Sequence, residues 1–342
     1  MLTRTGVRLA DWTTLRVGGQ ADSFVEASTR SELYGAVAAA DDAGEDVLVL
    51  GDGSNLVVSD DGFPGRVIRV ANRGITIGGD ACSGVEVLAE SGEDWDGFVA
   101  RAVAGEWIGV EALSGIPGTV GAVPIQNVGA YGQEVAETIA QVHVFDRVDR
   151  RPRTMFVGDC AFGYRSSVFK RDPGRHVVGA VTFQLRPGTL GAPVKYAELA
   201  RTLGIAIGER ALSRDVREAV LRLRRSKGMV LDEADHDTWS AGSFFTNPFV
   251  GPDRLPEGAP SYPQPDGHIK TSAAWLIERA GFAKGYGNDR VSLSTKHTLA
   301  LTNRGSASAA DVLALAREIR AGVKSAFGLV LQPEPMCINC DL

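Results

Sequence analysis

Residues 115–132 read GIPGTVGAVPIQNVGAYG, with five glycines, two prolines and no charged side chain. A flexible linker would not carry Ile, Val, Pro and Tyr at this density. Glycine opens left-handed backbone and close approach, and the apolar side chains between the glycines pack, so the stretch reads as an ordered loop wrapped around something.

A shorter glycine stretch precedes it. Gly51, Asp52, Gly53, Ser54, Asn55 and Leu56 follow directly on the apolar run VLVL, whose pattern is that of a buried strand. GxG at a strand end invites a Rossmann reading, but Leu56 stands where the third glycine belongs, and no acid near Arg69 is placed to take a ribose hydroxyl. What remains is a turn rich in backbone NH, whose Ser54 and Asn55 can donate to phosphate oxygens. Either loop alone reads most simply as a packed turn. Two together can grip a long dianionic cofactor by backbone and cover a flat, mostly apolar ring with Pro and aliphatic side chains; FAD is a molecule of that kind.

The rest of the chain narrows the partners. At 342 residues and a net charge of −6, it has room for two or three domains and carries no basic field for nucleic acid or anionic lipid. A small-molecule partner is expected. No segment approaches the roughly 20 apolar residues of a membrane span, and the N-terminal MLTRTGVRLADWTTLRV lacks the apolar run of a signal peptide, which points to the cytosol. Cys82 and Cys160 are isolated, and Cys337 with Cys340 forms a single CxxC, too little for a structural zinc and wrongly placed for a thioredoxin-type motif. All four read as ordinary thiols. The acidic run DEADHD, 232–237, lacks the EF-hand glycine and reads as a solvated loop, so no metal is expected.

Three blocks follow from periodicity. In residues 12–75, a strand around SFVEA leads into a helix opened by the capping box Thr29 and Glu32. Up to about residue 215, QVHVFDRV and HVVGAVTFQL alternate as half-buried strands, with turns at 150–152 and 172–174, and Arg147, Arg150, Arg151 and Arg153 read as a hydrated hairpin tip. Beyond residue 228 come the helix AAWLIERAG and a longer one from Ser308 that stops at Gly328, after which LVLQPEPMCI extends as a strand returning to an earlier domain.

Three polar residues stand in apolar company. Arg165, in FGYRSSVFK, carries a planar fork suited to a carboxylate or phosphate. Ser243, in SAGSFFTNP, places a hydroxyl beside two phenylalanines. Glu334, between Pro333 and Pro335, has its backbone fixed and its carboxylate aimed. Singly, each has an ordinary use as salt bridge, cap or surface acid.

The segments TLRVGGQAD, LGDGSNLVV, GIPGTVGAVPIQNVGAYGQEV, FGYRSSVFK, AGSFFTNP, KTSAAWLIERAGFAKG, STKHTLALTN and LQPEP, in that order, resemble the UDP-N-acetylenolpyruvoylglucosamine reductase (MurB) family over nearly the whole chain. The resemblance implies an α+β fold: a vanillyl-alcohol-oxidase-like (PCMH-like) FAD-binding fold of two subdomains, 1–75 and 76–225, the latter joined by the C-terminal strand 329–342, with a substrate-binding domain at 226–328. It implies that FAD is held by Gly51, Asp52, Gly53, Ser54, Asn55, Leu56, Gly115, Ile116, Pro117, Gly118, Gly121, Gln126, Asn127, Gly129, Ala130 and Tyr131. It implies a cytoplasmic, monomeric oxidoreductase of peptidoglycan synthesis in which NADPH reduces FAD and hydride then passes from flavin N5 to C3 of the enolpyruvyl sugar nucleotide. Arg165 matches the family's carboxylate-binding Arg, Glu334 its C-terminal acid, and Ser243 the Ser that protonates C2. Tyr196, Lys227, Asn247 and His297 match substrate contacts. The chain departs from many members in having Thr13-Thr14 for Asn-Thr, and in a longer acidic stretch between Lys227 and Ser243. The other readings are an FAD oxidase of the same fold that uses O₂, and a flavin-binding regulatory protein without turnover.

Overall fold

The computed structural model describes residues 1–79 and 84–342. Cys82 lies outside the described residues. The chain forms two compact units that are not consecutive in sequence: Met1–Val7, Ala21–Asp52 and Pro64–Ser226 make the first, and Arg8–Gln20, Gly53–Phe63 and Lys227–Leu342 the second. The boundary between Asp52 and Gly53 falls inside the first glycine stretch.

Among the described residues, the first unit holds the short pair Gly129–Ala130 with Gln133–Glu134 and two main sheets. In the smaller, Val47–Leu50 runs parallel to the strand Phe63–Val70, which joins this unit from Pro64. The helix Arg30–Ala43 belongs with it; Thr29 and Glu32 close the expected capping box and Gly44 ends the helix in the left-handed region at φ 67°. The larger sheet is antiparallel, in the order Arg151–Phe156, Ile139–Asp146, His176–Pro187, Val85–Glu90, Ile75–Gly78. Its core gathers Phe183 with Trp95 and Phe98 of the helix Trp95–Ala104, the rings of Phe98 and Phe183 lying 4.6 Å apart.

Two expectations change here. Residues 150–152 are not all turn: Arg151 and Pro152 begin the strand Arg151–Phe156, which tolerates Pro152 because it is the sheet's edge. Arg150, Arg151 and Arg153 are exposed as expected of a hydrated tip, but the tip is also anchored by ion pairs that the sequence did not show. Arg153 and Arg175 donate to the fully buried Asp146 at 3.2 and 3.1 Å, and Arg147 makes a bidentate contact with Asp41. Burial alone would raise the Asp146 carboxyl, but hydrogen bonds from Arg175, the Asp149 amide, Arg153 and the Val148 amide outweigh it and hold the group far below the usual carboxylate range.

The second unit packs Phe244, Phe245, Leu276, Ile277, Val312, Ile319 and Leu331 into one core around the helices Ala273–Arg279 and Ala309–Phe327. The longer helix opens on a capping box, Ser308 with Asp311, and its first amides, Ala309 and Ala310, also donate to Asp60 at 2.8 and 2.9 Å. The C-terminal strand Met336–Ile338 pairs parallel with Leu56–Val58. This corrects the expectation that it joins residues 76–225. After the left-handed Gly328, Leu329 and Leu331 stay buried in the same core, so the chain is turned back along Leu56–Val58. No helix among the described residues is long and apolar enough to cross a membrane.

Candidate active site

Within the first unit the two glycine loops meet. A Cβ on Gly51 would lie 2.9 Å from the Thr119 hydroxyl, so the strand end and the second loop approach as closely as glycine allows. The second loop is bound along its length. Trp95 N donates to Gly118 O, Val120 N to Glu93 O and Gly121 N to Ser91 O, so residues 118–121 run beside the approach to the helix Trp95–Ala104. Gly115 N donates to Asp96 at 2.6 Å, and Arg217 grips both oxygens of that carboxylate at 2.5 and 2.8 Å. Burial opposes ionisation of Asp96, yet Arg217 and the Gly115 amide leave its pKa lowered.

Several of the glycines and polar groups assigned to a cofactor also have structural work. A Cβ on Gly121 would come within 2.5 Å of Ser91 Cβ, so close packing alone demands glycine there. Asn127 is buried at φ 46°, and its side chain donates to Glu134 at 2.7 Å and Gly163 O at 3.1 Å and accepts from Ala136 N. Gly115 and Gly118 have φ 70° and 129°, backbone that suits glycine.

Arg165 belongs to this unit. It occupies a two-residue turn closed by reciprocal bonds between Gly163 and Ser166, at φ 50°, and its Nη2 donates to Gly129 O at 2.7 Å. The guanidinium is therefore tied to the second glycine loop. Tyr131, at the loop's end, meets Tyr196 edge to face with centroids 5.5 Å apart. Sequence reasoning passed over Arg224 at the end of the helix Ser213–Ser226: desolvation pulls its pKa down to about 10, and it feels the charges of Tyr131, Asp96 and Arg165.

In the second unit the first glycine turn has its acceptors engaged. Gly53 O accepts from Thr14 N at 3.2 Å and Asn55 O from Met336 N at 3.0 Å. On the other side of the boundary, and within the first unit, Arg69 donates to Gly51 O and to Asp52, each at 2.6 Å. The carbonyls of Gly51, Gly53 and Asn55 and the one carboxylate are thus held by protein donors, and NH is the chemistry such a turn offers a ligand. Gly53 is fixed by space: at φ 59°, a Cβ would lie 2.1 Å from Trp12 O.

Ser243 and Glu334 come together here. Phe245 bridges Pro333 antiparallel, Glu334 N donates to Phe244 O at 2.9 Å and Thr246 N to Gln332 O at 3.0 Å, which sets the serine and the glutamate at adjoining positions of two paired segments. Asn55 Nδ2 donates to Glu334 O at 3.3 Å, so the glycine turn reaches the same point. Phe244 N donates to Leu299 O at 2.7 Å, bringing in the segment of His297. Asn247 accepts from Ala273 N at 2.9 Å, at the start of the helix Ala273–Arg279. Lys227 lies at the first position of this unit's last segment.

The acidic run 232–237 is solvated only at its start, where Asp232, Glu233 and Ala234 are exposed as expected; its end is not, which corrects the expectation there. Asp237 is buried and accepts from Thr295 N at 3.0 Å and Arg304 at 2.9 Å, and Asp235 pairs with Lys296. No group of three or more His, Cys, Asp or Glu able to hold a metal occurs among the described residues.

Residues 21–149, which contain both glycine loops, match the family described as FAD binding domain, and residues 233–338 match that described as UDP-N-acetylenolpyruvoylglucosamine reductase, C-terminal domain. The UDP-N-acetylenolpyruvoylglucosamine reductase of Cutibacterium acnes is 55% identical over 339 residues, covering 98% of this chain and 90% of the relative. The chain belongs to the UDP-N-acetylenolpyruvoylglucosamine reductase family. The reductase of Thermobifida fusca is 53% identical, with 98% of each chain covered. Among solved structures, the Thermus caldophilus enzyme of the same name superposes with a TM-score of 0.68 at 26% identity, over 98% of this chain and 100% of that one. The fold class is therefore the one expected, α+β with an FAD-binding fold and the reductase family's C-terminal domain, and FAD is the cofactor. The loops fit it: glycine where the backbones touch, acceptors tied back into protein, and neutral apolar side chains between.

Proposed function

We propose that this protein reduces UDP-N-acetylglucosamine enolpyruvate to UDP-N-acetylmuramate with electrons from NADPH, as a cytoplasmic, monomeric enzyme of peptidoglycan precursor synthesis. The observation that carries the reading beyond family membership is the pairing of the segments of Ser243 and Glu334, with Asn55 of the glycine turn bonded to the Glu334 carbonyl. The chemistry FAD supplies when bound is two-electron transfer, from NADPH and then to the substrate's C3. Residues 51–56 and 115–131 hold it, the first by backbone NH, Ser54 and Asn55, the second by its glycines and the apolar cover of Ile116, Pro117 and Tyr131.

The remaining chemistry falls to side chains. Addition at C3 drives negative charge onto the substrate carboxylate, so a fixed cation lowers the barrier. Arg165 supplies it, its fork oriented by the Gly129 carbonyl. Glu334 polarises the same carboxyl group. Ser243 gives its hydroxyl proton to C2, which needs only a weak acid because the carbon is strongly basic. Substrate gains hydride at C3 and a proton at C2, and solvent reprotonates the serine. Lys227, His297 and Tyr196 bind the sugar nucleotide, and Asn247, whose oxygen accepts from Ala273 N, presents its NH₂ to a substrate oxygen.

The test is mass spectrometry of the sugar nucleotide after incubation with the flavoprotein and NADPH in deuterated water. A product carrying two added hydrogen atoms, with deuterium at C2 and either isotope at C3 because the flavin N5 hydrogen exchanges with solvent, supports the reading; recovery of unchanged substrate with NADPH unconsumed overturns it.

A further inference from the structure

We propose that Asp237, seconded by Asp235, is a positioning residue that sets the sugar-nucleotide contacts of the second unit; this rests on the function proposed above. Asp237 is the hub of a knot. Its carboxylate accepts from the amide and the hydroxyl of Thr295 and from Arg304 Nη1. Asp235 takes the ammonium of Lys296, next in sequence, and accepts from Asp237 N at 3.0 Å. Within the turn they hold, Ser294 Oγ accepts from the amides of Lys296 and His297 at 3.0 and 3.3 Å. His297 is therefore fixed from inside its turn by Ser294 and from outside by the two aspartates.

The same residue meets the other end of the site. Gly228, at φ 65°, leaves no room for a side chain, since a Cβ would sit 2.9 Å from Asp237 O. The turn that carries Lys227 is thus laid against the Asp237 backbone. Onward from Asp237 the chain is pinned at each step: Asn303 N donates to Trp239 O, Thr14 Oγ1 donates to Ser240 O at 2.7 Å, and Gly242 N donates to Ser240 Oγ at 3.2 Å. The next residue is Ser243. Asp237 therefore holds the segment of His297 by its carboxylate and the turn of Lys227 by its backbone, six residues before Ser243. A charged hub of this kind keeps separate binding groups in register, which is how a small displacement remote from the chemistry costs affinity.

Steady-state kinetics of Asp237→Ala, Asp237→Asn and Asp235→Asn, with bound flavin measured for each, test this. The expected result for Asp237→Ala is a rise of about tenfold in KM for the enolpyruvyl sugar nucleotide, with kcat changed by less than about threefold and flavin content unchanged. Asp237→Asn, which still accepts from the Thr295 amide, is expected to recover part of that affinity. Asp235→Asn, at the more exposed pair, reads the same effect should Asp237→Ala not fold, with KM raised about threefold. A loss of activity in proportion to lost flavin or folded protein, with KM unchanged, overturns positioning in favour of a purely structural role. Wild-type protein separates the two claims: turnover with unaltered KM in the variants overturns this inference alone, and no wild-type turnover overturns the function with it.

Discussion

At the scale of single residues, the glycines that space demands make the sharpest predictions. Gly53→Ala puts a methyl group 2.1 Å from Trp12 O in left-handed backbone, and no neighbour is the movable end of a side chain. The expected outcome is a loss of more than about 2 kcal/mol in stability, read by urea unfolding, together with loss of bound flavin. Gly35→Ala is the control: its Cβ meets nothing within 4 Å and it lies in a helix, so stability should rise by a few tenths to about 1 kcal/mol. Residue chemistry was legible where one residue type has one physical meaning, as with Gly53. It was not legible where meaning depends on a distant partner. Thr119 stood in plain view in the quoted stretch, but only the fold sets it against Gly51; Arg69 lies one residue before its strand's end and gives no sign in sequence of turning back to Gly51 and Asp52. Asp237 misled for the same reason, since a residue with four acidic or histidine neighbours looks solvated until Thr295 and Arg304 arrive from some 60 residues away.

At the scale of elements, local rules worked and long-range caps did not show. The box at Ser308 and Asp311 follows from spacing, whereas Asp60, nearly 250 residues earlier, accepts from the first two amides of the same helix. Asp60→Ala should cost about 1–2 kcal/mol, the range for a lost helix cap in a protein, seen as a lower urea midpoint at constant m-value. The hairpin of the large sheet gives a pH prediction. The folded Asp146 carboxyl is depressed below its unfolded value, so its stabilisation is complete above about pH 4 and is lost as pH falls through the folded pKa. Wild-type stability should therefore drop on acidification below about pH 4, and Asp146→Ala should remove about 3–5 kcal/mol at pH 7 by leaving its arginines facing a vacant partner. Urea curves at pH 7 and about pH 3 check both: the gap between wild type and variant must narrow at the lower pH, and a constant gap would contradict the linkage.

At the scale of the whole molecule, order along the chain was a poor guide to association in space. Strands and helices read as three consecutive blocks, but residues 8–20 and 53–63 belong with 227–342, and the final strand closes on Leu56–Val58. Periodicity reports which face of an element is buried and says nothing of which element buries it. Family resemblance supplied the fold class and the cofactor, but not this association, since it set the final strand with residues 76–225. The central claim is a flavoenzyme with two half-reactions, one on the nicotinamide and one on the enolpyruvyl ether. Its most direct test is an anaerobic visible spectrum of the purified protein during addition of NADPH and then UDP-N-acetylglucosamine enolpyruvate. The account predicts that the flavin band bleaches with NADPH and returns with the sugar nucleotide, and that Ser243→Ala bleaches but does not return. A band that returns only on admitting air would contradict it and leave an O₂-using oxidase in its place.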